Sequence, residues 1–142
     1  RSLSSAASDV YKRQELSSIG IYLPGVILKP SMVISGDKNS NRANYETVAE
    51  MTVKCLKDIC PKDLGGIAFL SGGQTNDEAT NHLNLMNSGK YDLPWRVTFS
   101  YARAIQQSAL NTWSGKDENH DSAQTILSER AKLCSEASIG NN

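Results

Sequence analysis

The sequence predicts an α/β fold in which three short strands alternate with helices, in the order β-α-β-α-β-α, closed by one more helix. Three observations predict it. Short apolar runs rich in β-branched residues fall at 21–29, 67–70 and 95–100. Each is followed by a stretch whose apolar residues recur at three- and four-residue spacing. Proline, glycine and capping residues punctuate the joins. Strands joined through helices in this way pair in parallel, with right-handed crossovers.

The first run, 21–29, carries Val26-Ile27-Leu28, which predicts a strand buried on both faces. Pro24 and Gly25 mark its entry, and Pro30 holds Lys29 extended at its C-terminal end. A polar loop spans 35–41. Tyr45, Val48, Met51, Thr52, Cys55, Leu56 and Ile59 then line one face of an amphipathic helix that stops before Pro61. Gly65-Gly66 leads into the second strand, 67–70, and Ser71-Gly72-Gly73 follows at once.

Thr75 and Glu78 have the spacing of a capping box, opening a helix whose inner face holds Ala79, Leu83 and Met86. A turn over 89–94 ends it. The third strand is 95–100, and a helix over 103–113 carries Ile105, Ala109 and Leu110. After Ser114-Gly115, a last helix runs from about Asp117 to Ala137, with Ala123, Ile126, Leu127, Ala131 and Cys134 at helical spacing.

The chain has 142 residues, about one domain, and is too short for a complete (β/α)₈ barrel of roughly 250. Fifteen basic and fifteen acidic residues leave no formal net charge, which argues against a nucleic-acid binder. No apolar run approaches the ~18–20 residues of a membrane span. Cys55, Cys60 and Cys134 form no C-x-x-C pair, and no N-glycosylation acceptor appears, so reduced thiols packed in helices and an intracellular setting are expected. His82 and His120 stand alone, so no metal or other cofactor is expected. Residues 1–14, rich in Ser and Ala, read as a non-native or disordered leader.

In parallel β/α sheets, ligands gather beyond the C-terminal ends of the strands. One group of chemical interest follows each strand here. Lys29 ends the first, and an amine stripped of water there would be a nucleophile for a carbonyl. Ser71-Gly72-Gly73 precedes a capped helix, and its amides could cradle an anion such as a phosphate. Arg103, past the third strand, offers a fork suited to the same group.

These residues resemble class I fructose-1,6-bisphosphate aldolases. The resemblance rests on Leu28-Lys29-Pro30-Ser31-Met32-Val33, on Gly66-Ile67-Ala68-Phe69-Leu70-Ser71-Gly72-Gly73-Gln74, and on Thr98-Phe99-Ser100-Tyr101-Ala102-Arg103-Ala104. Glu78-Ala79-Thr80-Asn81, Leu83-Asn84 and Gly115-Lys116 with Glu118-Asn119 fit it too. Pro24, Ser31 and Ala102 stand where the family commonly has Glu, Asn and Gly.

The resemblance implies a partial TIM (β/α)₈ barrel, its last three βα units plus a C-terminal helix, over residues 15–140. It implies Lys29 as the imine-forming lysine, Ser71, Gly72, Gly73 and Arg103 as the substrate-phosphate site, and no metal. Tyr101 and Ala102 flank that arginine. The implied reaction is reversible cleavage of fructose 1,6-bisphosphate to dihydroxyacetone phosphate and glyceraldehyde 3-phosphate, in glycolysis and gluconeogenesis. The family's general acid–base carboxylate and its remaining active-site lysines belong to earlier strands, so an incomplete segment with weak or no activity is expected. The alternative is a non-catalytic phosphate-binding or scaffold module built from the same barrel. For the full-length protein the resemblance implies a homotetramer acting on a phosphorylated sugar, in the cytoplasm, or in a plastid if the source is photosynthetic. Neither a nucleic acid nor a membrane is expected as a partner.

Overall fold

The computed structural model describes residues 18–141. The leader expected over 1–14 lies outside the described residues. Three strands, β1 (Ile27–Leu28), β2 (Gly66–Phe69) and β3 (Val97–Phe99), alternate with α1 (Tyr45–Ile59), α2 (Asn76–Asn87) and α3 (Arg103–Trp113), and α4 (His120–Ala137) closes the chain. Both strand pairs are parallel and the sheet order is β1-β2-β3. Ile27 pairs with Gly66, and Ile67 with Val97.

The helices begin where capping chemistry allows. Asn44 accepts the amide of Thr47 at 2.8 Å and opens α1. Thr75 and Glu78 form the full reciprocal box at the start of α2, at 3.2 and 2.8 Å. Helix α3 ends on Ser114 in the left-handed region (φ 48°) followed by Gly115 (φ 73°). Asp117–Asn119 forms a 3₁₀ turn ahead of α4, so the last helix begins three residues later than its periodicity suggests.

Strand order without a reversal, with crossovers of one hand, puts every helix on the same side of the sheet. Helix α1 packs on α2, and α2 and α3 both pack on α4. Ile67, Phe69 and Val97 point into that layer with Leu83, Met86 and Leu56, all nearly without exposure. Asn87 Nδ2 stitches the layer to the sheet by reaching the carbonyls of Val97 (3.3 Å) and Ala137 (3.1 Å).

The opposite sheet face carries no helix among the described residues, and this corrects the expectation for β1. The strand is only two residues long, Leu23–Gly25 is a 3₁₀ turn, and Ile27 is 65% exposed. Burial on both faces needs a layer on each side, and here the helices supply one. In α4 the inward stripe is Arg130, Cys134 and Ala137, while Leu127 is 40% exposed and Ala131 is exposed. Leu127 instead borders an apolar groove with Leu110 and Trp113, between α3 and α4. No helix among the described residues is long and apolar enough to cross a membrane.

Candidate functional site

Lys29 lies one residue past β1. The β1–β2 register continues beyond it, with Ser31 bridging to Leu70 and the Leu70 amide donating to the Pro30 carbonyl at 2.9 Å. Side chains alternate across the sheet, so Lys29 shares a face with Ile27, opposite the helices. The residue is exposed. The described residues therefore do not strip its amine of water, for the same reason that Ile27 is bare.

Ser71, Gly72, Gly73 and Gln74 form a tight turn closed by the Gln74 amide on the Ser71 carbonyl at 3.2 Å. Gly73 has φ +74°, the conformation the third residue of a type II turn demands. A Cβ there would also come within 2.9 Å of Ile34 Cδ1. At Gly72 a Cβ would meet nothing within 4 Å among the described residues, so this corner stays open to an approaching group. Ser71 is buried beneath it.

The turn is braced from behind. Arg42, in the loop before α1, donates to the Gly73 carbonyl at 3.3 Å and lies 3.7 Å from Glu78. Glu78 in turn holds the Thr75 amide. His82 Nδ1 lies 2.7 Å from Gln74 Oε1, and the Tyr45 ring meets the imidazole edge-on at 5.2 Å. Burial pushes the His82 pKa down to about 4, against a raising influence from Glu78 and with a smaller lowering one from Arg42. The imidazole is thus neutral near pH 7, and Nδ1–H can donate to the amide oxygen. Gln74 Nε2 is buried with no hydrogen-bond partner among the described residues.

Arg103 is the first residue of α3 and is exposed. It lines a polar groove of about 490 Å³ with Thr75, Asn76 and Asp77 at the start of α2 and Gln107 and Asn111 on its own helix. Arg103 therefore faces the helix end that the glycine turn feeds into. Lys29, Ser71, Gly72 and Gly73 do not line that groove. Tyr101 is buried, donating to the Ala79 carbonyl at 2.9 Å, and burial pushes its hydroxyl pKa up.

Motif spacing singles out neither Arg42 nor Arg130, though both hold this region together. Arg130 carried one signal: it interrupts the stripe Ile126, Cys134, Ala137 with a charge, and a charge in an inward stripe needs a partner. Its partners are Asp77, Asn76, Thr80 and Ala104.

Comparison with known proteins gives one answer. A family model described as fructose-bisphosphate aldolase class-I matches residues 4–142. Fructose-bisphosphate aldolase 2 of Caenorhabditis elegans is 44% identical over 131 residues, 92% of this chain and 35% of that protein. Probable fructose-bisphosphate aldolase class 1 of Xanthomonas campestris is 52% identical over 122 residues, 84% of this chain and 36% of that protein. Fructose-bisphosphate aldolase 1, chloroplastic, of Arabidopsis thaliana is 48% identical over 125 residues, 88% of this chain and 31% of that protein. The fructose-bisphosphate aldolase of Plasmodium falciparum, solved with TRAP and a small-molecule inhibitor, superposes with a TM-score of 0.80 at 38% identity, covering 96% of this chain and 42% of that one. The chain spans about a third of the length of the curated relatives it matches.

Proposed function

The chain belongs to the class I fructose-bisphosphate aldolase family, and from that premise we propose that it carries the imine-forming lysine and a substrate-phosphate site of an aldolase. The observation behind this reading is the placement of Lys29, the turn at 71–74 and Arg103 directly after three adjacent parallel strands. The unreversed strand order, and a face that carries no helix among the described residues, support reading 15–140 as a segment of a (β/α)₈ barrel, whose interior that bare face would line.

On this reading a phosphate of fructose 1,6-bisphosphate sits on the amides of Ser71, Gly72 and Gly73, and Arg103 supplies the cation. Lys29 Nζ attacks the ketose carbonyl, and loss of water leaves a protonated imine. The bond between the third and fourth carbons then breaks, its electron pair drawn into the iminium to give an enamine, and glyceraldehyde 3-phosphate departs. Protonation of the enamine and hydrolysis return dihydroxyacetone phosphate and the lysine. The nitrogen cation serves as the electron sink. The proton transfers call for a general acid–base group that the resemblance places on strands outside this segment, so the 142 residues alone turn over little.

Full-length relatives include cytosolic and chloroplastic aldolases. The full-length protein on this reading is a homotetramer of one of those compartments that uses a phosphorylated sugar.

Borohydride trapping with fructose 1,6-bisphosphate, read by mass spectrometry, tests the assignment. A substrate-sized adduct on Lys29 is expected, lost in Lys29→Met and needing higher substrate in Ser71→Ala or Arg103→Ala. Phosphate binding with no adduct on Lys29 would replace this reading with a non-catalytic phosphate-binding module. Turnover near that of a complete enzyme would overturn the assignment of proton transfer to other strands.

A further inference from the structure

We infer that Arg130 is a positioning residue that sets Arg103 at a fixed distance from the glycine turn. The inference rests on the phosphate-site reading above and adds to it the residue that joins its two halves. Those halves sit on separate helices: the turn at 71–74 runs into the N-terminus of α2, and Arg103 opens α3.

Arg130 reaches both helix starts from α4. Its Nε donates to the Ala104 carbonyl at 3.2 Å, one residue from Arg103. Its Nη2 donates to the Asn76 carbonyl and to Thr80 Oγ1, both at 2.8 Å, and its Nη1 to Asp77 Oδ1 at 3.0 Å. Four of the five guanidinium donors are thus committed, in a side chain that is 10% exposed. A planar fork can hold acceptors on two helices at once, which a single ammonium cannot. Asn76 Nδ2 also donates to Ser108 Oγ at 2.7 Å, a turn further along α3, and Tyr101, two residues before Arg103, donates to the Ala79 carbonyl of α2 at 2.9 Å.

Of these bonds, the one from Arg130 to Ala104 lies nearest to Arg103 along the chain. Without the Arg130 contacts, the bonds from Tyr101 to Ala79 and from Asn76 to Ser108 still join this region to α2, but the one side chain that holds the starts of both helices at once is lost. The Arg103 guanidinium would then sample a wider range of distances from the turn amides, and a phosphate bridging the two would be held less often in the productive geometry.

A double-mutant cycle on the 142-residue chain tests this, read by phosphorus NMR titration of inorganic phosphate with thermal unfolding in parallel. Arg130→Met is expected to raise the phosphate dissociation constant about tenfold when Arg103 is present, and less than about twofold when Arg103 is already Ala. Arg130→Lys should stand closer to Arg130→Met than to wild type, because the fork is lost. Equal effects in both backgrounds would show a merely structural role and overturn the inference, as would an Arg130→Met chain that binds phosphate normally. If Arg103→Ala itself leaves phosphate binding unchanged, the site reading fails and the positioning role falls with it. Should Arg130→Met not fold, Arg130→Lys carries the same cycle.

Discussion

His82 and Gln74 are joined by a 2.7 Å hydrogen bond that ties the middle of α2 back to the last residue of the glycine turn. His82 is 3% exposed, and burial holds its pKa near 4, so the bond is made by a neutral ring. Arg42 grips the same turn from the other side, on the Gly73 carbonyl. The turn is thereby pinned at two successive residues by side chains from two different elements, while Gly72 remains open. This suits a loop that must present its amides in a fixed direction.

The depressed His82 pKa makes stability depend on pH. The folded ring resists protonation, whereas the unfolded ring takes a proton at about the ordinary value of 6.5. Above pH 6.5 both states are neutral and His82 contributes no slope. As pH falls from 6.5 towards 4, only the unfolded state gains the proton, and the fold loses on the order of 3 kcal/mol. His82→Asn, which keeps a donor but does not titrate, is expected to flatten that slope. Urea unfolding at pH 7 and pH 5 for both chains checks this; equal slopes would show that the ring is not held neutral by burial.

Gly73→Ala is expected to cost about 1–2 kcal/mol from the left-handed backbone, while the new methyl, 2.9 Å from Ile34 Cδ1, displaces only the far end of that side chain. If the turn amides hold a phosphate, affinity should fall as well, since a side chain resists the positive φ that aims those amides. Gly72→Ala, with open space around it and no positive φ, should leave stability nearly unchanged while still crowding an incoming ligand. Thermal unfolding set beside phosphate titration separates the two positions.

The capping box of α2 gives a third prediction. Thr75→Ala removes the acceptor for the Glu78 amide and is expected to destabilise by about 1 kcal/mol. Thr75→Ser, which keeps the oxygen, should be near neutral. Denaturant midpoints for the two variants decide it, and equal losses would point to the methyl of Thr75 and not its hydroxyl.

The helices were legible because their signals are local. Thr75 with Glu78, and Pro61, each act within one turn of where they stand, whereas the Asn44 cap came to light only in the structure. The α2 face of Ala79, Leu83 and Met86 is buried as its spacing implies. Strand β1 was misread because an apolar run does not say how many of its faces are covered; that depends on where helices more than fifteen residues away come to lie. The braces around the turn were hidden for a related reason. Arg42 meets a residue 31 positions away, and Arg130 one 54 positions away. Contacts of that span follow from closure of the fold; the Arg130 charge in an inward stripe shows that a partner is needed but not which one, and Arg42 has no such trace. Lys29, the glycine turn and Arg103 stood out because each follows a predicted strand, a resemblance then gave them roles, and the structure adds which helix end Arg103 faces.

The two sheet faces give the last prediction. Phe69 is fully buried on the helix side, and Phe69→Ala is expected to cost about 3–5 kcal/mol. Ile27, one strand away and 65% exposed, should tolerate Ala within about 0.5 kcal/mol. The contrast follows from a single layer of helices and would vanish if something covered the other face. A bare face with Ile27 and the 37%-exposed Leu70, bordered by the short edge strand β1, also invites pairing between copies. Unfolding is therefore to be followed across a range of chain concentrations. An Ile27→Ala cost that matches that of Phe69→Ala, together with a midpoint that rises with concentration, would mean that the face is covered by association. A small cost with a concentration-independent midpoint would mean that it stands open in solution, as a barrel-lining face without its neighbours would.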